Sequence, residues 1–109
     1  MLLLFMSYDI CVLRPENFQK FVMKLDSDAK ARVVRDIDFL KENGVRLTMP
    51  YAKKIDKELW ELRTSGKQKV RIIYSIKKNQ IYIVHWFVKK SQRIPLKELN
   101  TAIRRLTEI

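Results

Sequence analysis

Cysteine is almost missing from this chain. Cys11 is the only one among 109 residues, so neither an internal disulfide nor a cysteine-rich metal site can form. That usage fits a reducing cytoplasm, and Cys11 is expected to be a free, buried thiol. His85 is the only histidine, and no carboxylate cluster joins it. No ligand set is present, so neither a metal nor a cofactor is expected. Glycine and proline number only 2 and 3, and 47% of residues are hydrophobic, which describes a folded chain rather than a disordered tail. No apolar run reaches the ~18–20 residues that span a bilayer. Met1 to Phe5 is apolar but short, and it lacks the positive charge that opens a secretory leader. Met6 is an alternative start, so these five residues carry little weight.

Acidic residues are scarce in one half only. Residues 1–50 hold 8 basic and 7 acidic side chains, whereas residues 51–109 hold 15 and 5. The formal net charge of +11 therefore sits almost entirely in the second half. Such a lopsided field points to a polyanionic partner, with nucleic acid as the default and an acidic protein as the alternative.

The length suits one domain, residues 1–109, with one hydrophobic core. Leu4 to Leu13 reads as a strand that ends at Arg14-Pro15, where proline suits the opening of a helix. Phe18, Phe21, Val22 and Leu25 follow at helical spacing. Asp26 or Ser27 caps a second helix, whose apolar stripe is Ala29, Val33, Ile37 and Leu40 and whose stop is Gly44. From Leu59 the period becomes two. Leu59–Thr64 and Val70–Lys77 read as strands joined at Ser65-Gly66-Lys67, and Gln80–Val88 as a third, interior strand. Pro95 opens a last helix that turns Leu99, Ala102, Ile103 and Leu106 inward. The expected fold is α+β, with helices packed on a small, mainly antiparallel sheet.

The first hairpin can be placed in register. With Lys67 at the turn, Arg63 lies opposite Arg71, Glu61 opposite Ile73 and Trp60 opposite Tyr74. Trp60, Leu62, Val70, Ile72, Tyr74 and Ile76 then form an apolar face, and Glu61, Arg63 and Arg71 gather on the side away from the core. Two readings fit that side. One is a solvated Arg–Glu pair; the other is an anion site, since paired guanidiniums match a phosphate in two-point contact. The third strand runs out into Lys89-Lys90-Ser91-Gln92-Arg93, which is either a solvated loop or three cations aimed by a rigid scaffold.

Several blocks occur in a telling order. They are Asn43-Gly44-Val45-Arg46-Leu47, Met49-Pro50-Tyr51, Lys53-Lys54, Leu59-Trp60-Glu61-Leu62-Arg63 and Arg71-Ile72-Ile73-Tyr74. The series closes with Ile83-Val84-His85-Trp86-Phe87-Val88-Lys89-Lys90-Ser91-Gln92-Arg93-Ile94-Pro95. In this order the chain resembles RelE/HigB-type toxins of type II toxin–antitoxin systems, and within them the phage-derived HigB-like branch of the RelE/ParE superfamily. It departs from the branch at Trp86, often glycine, and at Ile94, often a threonine that caps the last helix.

The resemblance implies a RelE-like fold and a toxin that cuts messenger RNA, typically on the ribosome. It also implies neutralisation by a helix-turn-helix, HigA-like antitoxin, with operator DNA bound by the pair. RNA carries its own nucleophile, so the reaction needs a proton acceptor, cations for the phosphate and a proton donor. Arg63 and Arg71 are expected at the phosphate, Glu61 as acceptor, and Lys89 or Lys90 as second cation or donor. His85 is an alternative acid or base; a tight turn at Lys78-Asn79 puts it on the core side, and a one-residue bulge would reverse that. Lys53, Lys54, Lys57 and Arg93 are expected to hold RNA or ribosome. Two other functions share this charge and fold. One is a ParE-like gyrase inhibitor indifferent to the Glu61, Arg63 and Arg71 face. The other is a non-catalytic nucleic-acid binder, against which stands the aliphatic flanking of Tyr82 and Trp86, read here as sharing a face.

Overall fold

Arg14-Pro15 does separate a strand from a helix. In the computed structural model, which describes residues 7–109, β1 is Asp9–Val12 and α1 is Pro15–Met23. The part of the expected first strand before Ser7 lies outside the described residues. α2 spans Ser27–Asn43, and the Asp26 carboxylate accepts the Ala29 N–H at 2.8 Å as its cap. Gly44 stops α2 at φ 50°, and the Tyr8 ring lies so close that any side chain at Gly44 would collide with it.

β3 (Leu59–Arg63) and β4 (Val70–Lys77) follow the expected register, with Arg63 across from Arg71 and Trp60 across from Tyr74. β5 is Gln80–Val88 and α3 is Leu96–Leu106. A further strand, β2 (Ala52–Asp56), stands where the sequence showed no strand pattern. It is an edge strand with only Ala52 buried, so its lysines guard an open edge instead of alternating with apolar residues. The sheet order is β1-β5-β4-β3-β2, with β1 parallel to β5 and the remaining pairs antiparallel.

Helices cover both sides of this sheet. Leu62, Ile72, Tyr74, Ile81 and Ile83 pack against Ala29, Val33 and Leu40 of α2, with Phe18 and Phe21 of α1 at the margin. Leu59, Ile73, Val84 and Phe87 form a second cluster under Ala102 and Leu106 of α3. The side expected to be away from the core is therefore partly roofed. Leu59, Ile73 and Val84 reach that side by alternation, and a register shift in β5, where Ile73 pairs with His85 and Tyr74 with Ile83, adds Phe87 to them. Val84 is the extra residue of a bulge, and beyond it every side chain changes face. Three expectations fall with it or with the roof. His85 leaves the core side, Tyr82 and Trp86 belong to opposite clusters, and Ile103 is 39% exposed because α3 docks through a narrow strip. Cys11 is exposed, since alternation on edge strand β1 turns Ile10 and Val12 inward instead.

Candidate nucleic-acid interface

The β3–β4 hairpin and the end of β5 enclose a cleft of about 480 Å³. Its lining includes six cations, Arg63, Lys67, Lys69, Arg71, Lys89 and Lys90, together with Ser91 and Gln92, and no carboxylate. Three local features hold it open. Register places Arg63 and Arg71 side by side. The Ser65–Lys69 turn, with Gly66 at φ 109°, brings Lys67 and Lys69 to the rim. The Lys89 N–H donates to the Lys69 carbonyl at 2.7 Å, tying the β5 exit to that turn.

Arg71 is 5% exposed and fixed from behind. Its Nη1 donates to the Thr64 carbonyl at 3.1 Å and the Val70 carbonyl at 3.0 Å. Glu61, only 4% exposed, lies between the two arginines, with Oε1 3.8 Å from Arg71 Nε and 3.9 Å from Arg63 Nε. Those distances exceed hydrogen-bond length, so Glu61 acts on both by charge alone. Among the described residues, Arg71 Nε is buried without a hydrogen-bond partner. Burial pushes the Arg71 guanidinium below its ordinary range; Glu61 opposes that and Arg63 adds to it. Lys89 is pushed down as well, first by burial and then by Arg71.

Residues 20–107, which include the whole cleft, match the family described as phage derived protein Gp49-like. The chain belongs to that family. It is a family of RelE/HigB-like toxins, in keeping with the resemblance read from the sequence. A mutant of the E. coli toxin RelE with two arginine-to-alanine substitutions, solved in the free state, shares the fold at a TM-score of 0.67 and 11% identity. That match covers 93% of this chain and 99% of the other. No curated protein matches the sequence.

The other expected site residues of this Gp49-like protein scatter around the cleft. Lys53 pairs with Glu61 across β2 and β3, on the cleft's side of the sheet, and its charge reaches Lys89. Lys54 pairs with Trp60 and so belongs to the side covered by α1 and α2, away from the cleft. Lys57 borders a separate hollow of about 210 Å³ beside Trp60 and Tyr74. Arg93 lies beyond the lining, its carbonyl accepting from Ser91 Oγ at 2.9 Å. His85 shares the cleft's face but sits under α3. Its Nε2 donates to Glu98 Oε1 at 2.8 Å and its Nδ1 accepts from Arg105 Nη1 at 3.1 Å, the tautomer that a cationic donor dictates. Lys67 and Lys69 are the cleft cations to which the sequence pattern assigned no role, and Ser91 and Gln92 join them in the lining. The signal for the two lysines was the charge of the second half, but only the fold of the turn aims it.

Proposed function

We propose that this Gp49-like protein is the toxin of a toxin–antitoxin pair and cuts messenger RNA in the cationic cleft, on the ribosome. The observation that carries this reading is the pair Arg63 and Arg71, fixed side by side in a lining of six cations without a carboxylate. A phosphodiester seated there meets forked donors, and the charge that grows on phosphorus is stabilised by groups already in place. The 2′-oxygen attacks phosphorus as the bond to the 5′-oxygen breaks, leaving a cyclic phosphate and a 5′-hydroxyl. The positive field eases loss of the 2′ proton to solvent. Lys89, whose lowered pKa makes it a readier acid, gives its proton to the departing 5′-oxygen. Glu61 stands behind the guanidiniums, where a carboxylate orients them, so its part shifts from proton acceptor to positioning residue. A helix-turn-helix antitoxin of acidic character neutralises the toxin by competing for this field, and the pair binds operator DNA.

Arg71→Ala and Arg63→Ala should each lower cleavage by roughly 10²–10³, the usual cost of one positioned charge donor. Glu61→Gln, which keeps shape and loses charge, should cost less than Arg71→Ala. Growth arrest and primer extension on transcripts after brief induction measure this, with circular dichroism as the check on folding. Full toxicity in both arginine variants, or arrest with intact transcripts, would overturn the nuclease reading. Inhibited supercoiling by gyrase in place of cut transcripts would identify a ParE-like activity instead.

A further inference from the structure

Next to the cationic cleft the surface changes character. Arg63 also lines a hollow of about 620 Å³ whose other walls include Phe39, Pro50, Tyr51, Asp38 and Glu42. A recess bordered by Pro50, Arg63, Ser65 and Arg71 joins the hollow to the cleft. Phe39 and Tyr51 meet edge to face, with ring centroids 5.3 Å apart, yet remain 39% and 51% exposed. Asp38 and Glu42 stand one turn apart on α2, and among the described residues neither takes part in an ion pair.

These groups define what can enter. Arg35, which also lines the hollow, is paired with Asp36 at 3.1 Å, so the carboxylates of Asp38 and Glu42 set the local charge and repel a phosphodiester, and a bound strand keeps its backbone in the cleft, at Arg63 and Arg71. The occupant of the hollow must be flat enough to lie on an aromatic ring, uncharged, and able to donate N–H groups to a carboxylate. We infer that the hollow is a base-binding subsite for the nucleotide adjoining the phosphate held by the two arginines, and that it selects guanine. Guanine offers N1–H and N2–H side by side, a fork that matches the two oxygens of one carboxylate. Adenine and cytosine place an acceptor beside their amino group, and uracil flanks its single N–H with carbonyls. Tyr51 supplies the stacking surface, a contact that tolerates any base and therefore adds affinity, while Asp38 and Glu42 supply the choice.

The subsite rests on the RNA-cutting reading, and the experiment separates the two. Short fluorescent 2′-O-methyl oligonucleotides cannot be cut, and one position is varied among guanine, adenine, cytosine, uracil and an abasic sugar. Wild-type protein should bind the guanine probe about tenfold or more tightly than the abasic one, the worth of a stacked base. Tyr51→Ala should bring every base probe toward the abasic level, with guanine keeping a smaller advantage from the carboxylates, and leave the abasic affinity unchanged. Asp38→Asn and Glu42→Gln should narrow the gap between guanine and uracil while stacking persists. Abasic binding without any base preference overturns the subsite alone; no binding to any probe also overturns the subsite, and together with uncut transcripts after induction it overturns the RNA-cutting reading as well. Loss of antitoxin capture in Tyr51→Ala, with base preference absent in wild type, would make the hollow a protein-docking surface and overturn the subsite.

Discussion

His85 is held between two side chains of one helix, Glu98 at 2.8 Å and Arg105 at 3.1 Å. Arg105 Nη1 also donates to the Val84 carbonyl at 3.2 Å, so the imidazole is part of what fastens α3 to the bulge of β5. Burial favours the neutral ring and holds its pKa below the ordinary 6.5, with Glu98 pulling it up and Arg105 and Arg104 down. A proton therefore binds folded His85 less readily than unfolded His85. The resulting stability is complete above the ordinary value and is lost as pH falls through the lower folded one. Urea midpoints should drop more steeply as pH falls below 6.5 in wild type than in His85→Gln. Parallel profiles would dismiss the idea. Sequence alone offered two places for this residue, and a single inserted residue decided between them. Hydrophobic alternation is nearly complete on both faces of β5, so nothing in the pattern marks where the strand slips by one.

Among the elements, those with periodic apolar faces were legible. α2 ends where Gly44 stops it and starts where Asp26 caps it. Removing that cap with Asp26→Ala should cost about 1 kcal/mol in chemical denaturation. A loss under a few tenths of a kcal/mol would show that the hydrogen bond to Ala29 contributes little. β2 was not legible, because an edge strand of Ala52, two lysines, Ile55 and Asp56 has neither alternation nor strong strand preference. Its pairing with β3 forms the strand, not its own sequence. The same holds for α3. Its amphipathic pattern announced a helix, but which side of the sheet it covers depends on where Val84 at the bulge and Phe87 beyond it emerge.

At the scale of the whole molecule, charge and scaffold separate. α1 and α2 with the first face of the sheet make the larger core, and the cationic cleft lies over the hairpin's other side, beside α3. Binding to single-stranded RNA should weaken with salt, log affinity falling by about 0.7 per phosphate contact for each decade of concentration. Lys67→Ala combined with Lys69→Ala should lessen that slope by about 1.4 in a salt titration. An unchanged slope would remove the turn lysines from the interface. Composition determined that this protein carries a polyanion-seeking half, and periodicity determined the helices, the hairpin and the pairing of Arg63 with Arg71, because alternation and turn chemistry are local properties. Only the tertiary structure decided that Glu61 and Arg71 are buried, that Lys67 and Lys69 complete the cleft, and that His85 serves α3. Those outcomes depend on which surfaces meet, and residues far apart in the chain settle that together.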